Sequence, residues 1–161
     1  MTKSDRSKYN ICIAAIKRDT MQPYDFKWTK CYETNTVFSE LYPNILIEID
    51  DDELIISSTV IDDFNFSILT TRKLITKENG DFNFGRMEDV THVSFGYFKD
   101  VKPFTFGIIK LKNGNDLKYF IETGKASMMM IQGVKTLIRT QEMTNQQVEN
   151  VTRVWNKKNG Q

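Results

Sequence analysis

The chain has little of what most enzymes are built from. Its 161 residues include one histidine, His92, and two cysteines, Cys12 and Cys31. The cysteines lack CxxC spacing and have no histidine near them, so neither a zinc site nor a disulfide framework is indicated. Proline is scarce at three residues, and the longest apolar run, Ile11 to Ile16, is far too short to span a bilayer or to serve as a signal-peptide core. A cytoplasmic, soluble protein is expected. Net charge is only +1, which argues against a nucleic-acid binder, because phosphate backbones are held by an excess of Lys and Arg.

What is present is an ordinary globular composition, with 40% apolar and 27% charged residues and eleven phenylalanines. A chain of this length buries roughly 70% of its unfolded surface and needs no covalent staple. Charge is uneven along it. Glu40, Glu48, Asp50, Asp51, Asp52, Glu53, Asp62 and Asp63 fall in one stretch without Lys or Arg, while 99–118 leans basic. Such a dipole orients a partner or a second copy of the chain, or is simply a solvated acidic loop.

Residues 1–52 read as an N-terminal extension packed on the core. The first 35 residues are irregular or hold one short element, with Ile11, Ile13, Ile16, Phe26 and Trp28 as anchors. From Thr36, a candidate cap, the apolar positions Val37, Phe38, Leu41, Tyr42, Ile45, Leu46 and Ile49 follow helical spacing. Pro43 then kinks or divides that helix. A strand using Ile45, Ile47 and Ile49 is the alternative.

Residues 53–141 form the principal domain. Short alternating segments predict about seven strands: Leu54–Thr59, Phe64–Thr71, Arg72–Lys77, Asp81–Gly85, Val90–Phe98, Phe104–Lys112 and Asn115–Glu122. Asn79-Gly80 and Asn113-Gly114 are hairpin turns, where positive φ is demanded. Phe104 and Phe106 share one strand face and Ile109 and Leu111 the other, so a bulge or bend is expected at Gly107. A helix follows from about Thr123, with Ala126, Met130, Val134, Leu137 and Gln141 along one stripe. Gly133 inside it costs about 1 kcal/mol relative to Ala, which calls for close packing. The tail, 142–161, carries Val148, Val151, Val154 and Trp155 near helical spacing. The expected class is α+β, mainly β: a bent antiparallel sheet or partly open barrel with a C-terminal capping helix.

Several segments invite chemical readings. Gly124-Lys125 follows a strand, but Tyr119 and Ala126 stand where a phosphate-binding loop needs Gly and Ser or Thr. Asp50-Asp51-Asp52-Glu53 offers hard oxygen ligands, joined by Asp62 and Asp63 only if folding brings them alongside, but lacks the alternation and glycine of a calcium loop; a solvated loop is the alternative. His92 sits in a strand with no base or acid at signature spacing. Met128-Met129-Met130 supplies adaptable side chains; Met129 and Met130 are candidate contact residues, with core filling as the alternative. No cofactor, metal or small-molecule substrate is indicated.

The segment Ser67-Ile68-Leu69-Thr70-Thr71-Arg72-Lys73-Leu74-Ile75 is similar to the LT-x-x-R-L-I strand–turn–strand signature of bacterial pleckstrin-homology-like and GRAM-type domains, with Lys73 inserted before the Leu-Ile pair. Val90-Thr91-His92-Val93 resembles the strand that follows there. The resemblance covers Glu53 to Gln141. It implies a non-enzymatic scaffold of seven strands and one helix, here in a bacterial or phage protein. Eukaryotic relatives hold phosphoinositides with basic residues between the first two strands. Here that loop, Ile61 to Asn65, is acidic, which argues against lipid binding. Bacterial members often self-associate or bind peptides. The expected function is therefore a self-associating protein-interaction module, acting by strand addition at an open sheet edge or by packing against the exposed side of the C-terminal helix. The alternative is an inhibitor or immunity-type protein docking Asp50, Asp51, Asp52, Asp62 and Asp63 on a basic partner, and a hydrolase or transferase built around His92 is the third reading.

Overall fold

A computed structural model describes residues 4–20, 26–99 and 102–141. The tail at 142–161 lies outside the described residues. The first element is helix α1, Asp5–Asp19, longer than the short element expected. Its start is set locally: the Ser4 side chain accepts a hydrogen bond from the Ser7 amide at 3.1 Å, and Asp5 lies in the first turn. Lys17 and Arg18 sit in the last turn, where cations suit the helix dipole. Strand β1, Thr29–Cys31, and helix α2, Asn35–Leu41, follow. The cap of α2 is Thr34 rather than Thr36, and the helix stops before Pro43.

Seven further strands are β2 (Ile55–Asp62), β3 (Asn65–Thr70), β4 (Lys73–Glu78), β5 (Asp81–Arg86), β6 (Val90–Phe95), β7 (Phe104–Leu111) and β8 (Asp116–Glu122). Helix α3, Ser127–Thr140, closes the described chain. All pairings are antiparallel, in two sheets ordered β1-β2-β3-β4-β5 and β6-β7-β8. The class is α+β, mainly β, and among the described residues the two sheets do not close into a barrel. The eighth strand comes from the N-terminal extension, which pairs Thr29 with Thr59 and Cys31 with Ser57.

Strands β2, β3 and β4 of the five-stranded sheet are buried on both faces. Ile56, Leu69 and Leu74 join Ile16, Ile109, Tyr119, Ile121, Met129, Met130, Val134 and Leu137 in one core, between the sheet, the three-stranded sheet and the two long helices. Ile55, Val60, Phe66, Ile68 and Ile75 point the other way, into a second core closed by Tyr32, Phe38 and Ile45. The segment after α2 covers this face without joining a sheet. Ile45 is buried, Leu46 exposed, and Ile47 and Ile49 half-buried. The alternation expected of a strand is there, without a ladder.

Two glycines differ in what they do. Gly133 meets the expectation of close packing, since a Cβ there would lie 2.8 Å from Leu69 Cδ2. Gly107 does not mark a bulge. The β7–β8 register runs unbroken from Phe104 opposite Glu122 to Lys110 opposite Asp116. Phe104 and Phe106 simply occupy the outer face, where they form edge or tilted ring contacts with Phe120 and, for Phe104, with Trp28. Gly107 is required because the Tyr119 ring crosses it, with Oη 2.6 Å from where a Cβ would stand.

Candidate interaction surface

The cover over the second core stops before the last strand. On β4 and β5 the outward residues pair as Lys77 with Phe82, Ile75 with Phe84 and Lys73 with Arg86. Directly opposed residues of an antiparallel pair share a face, so these six lie together. Ile75 is covered by the second core, whereas Phe82 and Phe84 remain 50% and 54% exposed. With Leu46, Glu48, Lys73 and Ile75 they line a groove of about 420 Å³. Phe64 extends the apolar area. Its carbonyl accepts from the Gly80 amide in the β4–β5 turn at 3.1 Å, and the Lys77 ammonium sits 5.7 Å from its ring centre. Lys73 spans the other side, 5.8 Å from the Phe84 ring centre and 3.5 Å from Glu53 Oε1.

Beside this face runs an unpaired strand edge. The β4–β5 turn has Asn79 at φ 51° and Gly80 at φ 87°, the double positive-φ turn that the Asn-Gly pair predicts. The β4–β5 register is unbroken. The Met87 amide donates to the Arg72 carbonyl at 2.9 Å, which fixes the alternation of the ladder: Asp81, Asn83 and Gly85 turn their amides to β4. Phe82, Phe84 and Arg86 turn theirs to the open side. Among the described residues no strand pairs beyond β5.

The expected acidic residues are held differently. Arg72 grips Asp5 through Nη2 at 2.8 Å and Nε at 3.1 Å, and reaches Asp50 through Nη1 at 2.7 Å. Thr71 Oγ1 donates to Asp5 at 2.5 Å. Burial pushes the Asp5 carboxyl up, but the Arg72 and Thr71 hydrogen bonds and the guanidinium charge outweigh it and hold it below the usual carboxylate value. Glu53 is fully buried; it accepts from the Asp50 amide at 3.0 Å and from the Thr70 hydroxyl. The Thr70-Thr71-Arg72-Lys73 run therefore pins α1 and the 50–53 turn to the sheet.

Asp51 and Asp52 are exposed on that turn. Asp62 engages its own hairpin, accepting from the Phe64 amide at 2.8 Å and Asn65 Nδ2 at 3.1 Å, and Asp63 accepts from Asn44 Nδ2 at 3.5 Å. Among the described residues no group of three or more His, Cys, Asp or Glu side chains is placed to hold a metal ion.

Met129 and Met130 are corrected as contact residues. Both are fully buried, and Met130 Sδ accepts from Ser57 Oγ at 3.4 Å inside the first core. The helix turns them inward because its buried stripe is broad, taking in Ser127, Met129, Met130, Ile131 and Gly133. His92 stands exposed on β6, opposite Lys110. Both cysteines are free; burial raises both thiols, Cys12 to about 12. Phe82, Phe84 and Leu46 were not marked by the sequence. The available signal was Asp81-Phe82-Asn83-Phe84, which places two aromatics on one strand face.

No family model, no curated protein and no solved structure matches the chain.

Proposed function

We propose that the chain is a non-enzymatic protein-interaction module of pleckstrin-homology-like layout that takes an added strand along β5. The seven strands after residue 53, β2–β5 within the five-stranded sheet and β6–β8 in the three-stranded one, followed by a packed helix, support the layout. The observation that carries the function is the coincidence of two unmet needs on one strand. Phe82 and Phe84 leave apolar surface in water, and among the described residues no strand pairs with their outward backbone donors and acceptors. An extended partner satisfies both, its backbone bonding the edge and alternate side chains entering the groove beside Leu46.

The test is selection of random extended peptides from a display library on sparsely immobilised protein. Binders with apolar residues at alternate positions are expected, and Phe84→Pro should abolish them. Proline removes the amide that faces the open edge while leaving the ladder to β4 intact. Absence of binders, or binders indifferent to Phe84→Pro, overturns the reading unless the edge is already occupied by the occupant proposed next.

A further inference from the structure

We infer that the occupant of the β5 edge is the β5 of a second copy, giving a two-fold dimer with a ten-stranded antiparallel sheet. This rests on the reading of β5 as a strand-adding edge. Three observations lead to it.

The first is area. Taking about 200 Å² for a large side chain, exposures of 88% at Leu46, 62% at Phe64, 50% at Phe82 and 54% at Phe84 leave about 500 Å² of apolar surface per copy. That is near the upper end for a monomer's largest patch. Burying it in both copies removes about 1,000 Å² before any backbone is counted, which meets the size expected of a biological interface.

The second is symmetry. A two-fold axis normal to the sheet keeps each face continuous, so β5 must meet its copy in a register where residue numbers of opposed pairs sum to an even value. Phe82, Phe84 and Arg86 all present edge amides, so every such register matches donors to acceptors.

The third is charge, which selects among them. With Asn83 opposite its own copy, Phe82 faces the partner's Phe84, and Phe84 the partner's Phe82. Arg86 then falls opposite the partner's Gly80, clear of the partner's lysines. Centring on Phe84 instead would place Arg86 against the partner's Phe82, in the row that holds the partner's Lys77. Centring on Phe82 would leave Phe84 facing the partner's Gly80. The Asn83 register alone makes two aromatic cross-strand pairs and keeps like charges apart.

Sedimentation equilibrium of the full chain should report a species of twice the 18.8 kDa chain mass. Phe84→Lys, at a half-exposed site, should keep the far-UV spectrum and weaken association about 30-fold or more, as loss of a central aromatic does. Asn83→Cys in a Cys31→Ser background should form an intermolecular disulfide under mild oxidation, and Asp81→Cys should not, because only residue 83 opposes itself. A dimer unaffected by Phe84→Lys, or one in which Asp81→Cys cross-links and Asn83→Cys does not, overturns the inference. A monomer at several hundred micromolar overturns it too. If that monomer still binds library peptides in a Phe84→Pro-sensitive way, the module reading stands without the dimer; if it binds none, both fall.

Discussion

The two edges of the five-stranded sheet are treated in opposite ways. At one end β1 has only three residues, and its neighbours seal it. The Thr29 carbonyl, turned away from β2, accepts from the Phe26 amide at 3.3 Å, the Trp28 amide donates to Glu122 Oε1 at 3.0 Å, and the Trp28 ring meets Phe104 edge-on. At the other end β5 is six residues long, unbulged, without proline or lysine, and aromatic on its outer face. Natural sheets blunt their edges against unwanted pairing. The contrast between a three-residue edge strand and a flat six-residue one is what the proposed strand addition at β5 rests on.

That contrast can be broken or sharpened at four places. The largest effect is expected from Phe66→Ala, since Phe66 shares the outer sheet face with Phe84 but is 3% exposed under the second core. Urea unfolding should show a loss of about 3–5 kcal/mol; a loss below 1 would mean that this face is not a core. Gly80→Ala should cost about 1–2 kcal/mol. Its neighbourhood is open, so only the positive φ of 87° resists a side chain. A null effect there would dissociate the β5 geometry from its turn.

Arg72→Ala should cost about 1 kcal/mol, kept small because the guanidinium is more than a third exposed and water screens it. The sign with pH is definite. The Asp5 carboxyl titrates lower in the folded chain than in the unfolded one. Its contribution is therefore complete above the ordinary carboxylate value near 4, and disappears as pH falls through the folded value. The acid limb of a stability–pH curve should flatten in the variant, and an unchanged limb would remove Asp5 from the account. The smallest effect is expected from Phe84→Ala, about 0.5 kcal/mol or less for the monomer, measured by dilute thermal unfolding. A loss like that of Phe66→Ala would show the open face to be structural after all.

Local signals made much of this fold legible. The strands after residue 53 announce themselves by alternation, the first hairpin by Asn79-Gly80, and the terminal helix by its stripe. What failed was non-local. The Phe104/Phe106 phase problem disappears once Trp28 and Phe120 are seen on the outer face, and no window around Gly107 contains Trp28. The second Asn-Gly pair forms a different turn, with Gly114 at φ 89° and Asn113 Oδ1 accepting from the Asn115 amide. Met129 and Met130 were ambiguous because three methionines in a row carry no phase, and α1 on the far side decides which are covered. The groove was missed for the same reason, since exposure of Phe84 depends on where the segment around Leu46 ends its cover.

Helix α1 closes against α3, with the Cys12 thiol 3.8 Å from the Gly133 carbonyl, 121 positions further along. During synthesis the side of the first helix that meets α3 thus has no partner until nearly all of the described chain has emerged. Its apolar side must wait, exposed or transiently held, while eight strands are laid down. Consolidation of this protein should therefore be a late, single event, slow as such long-range closures are, and circularly joining the ends of the two helices would be the direct way to hasten it.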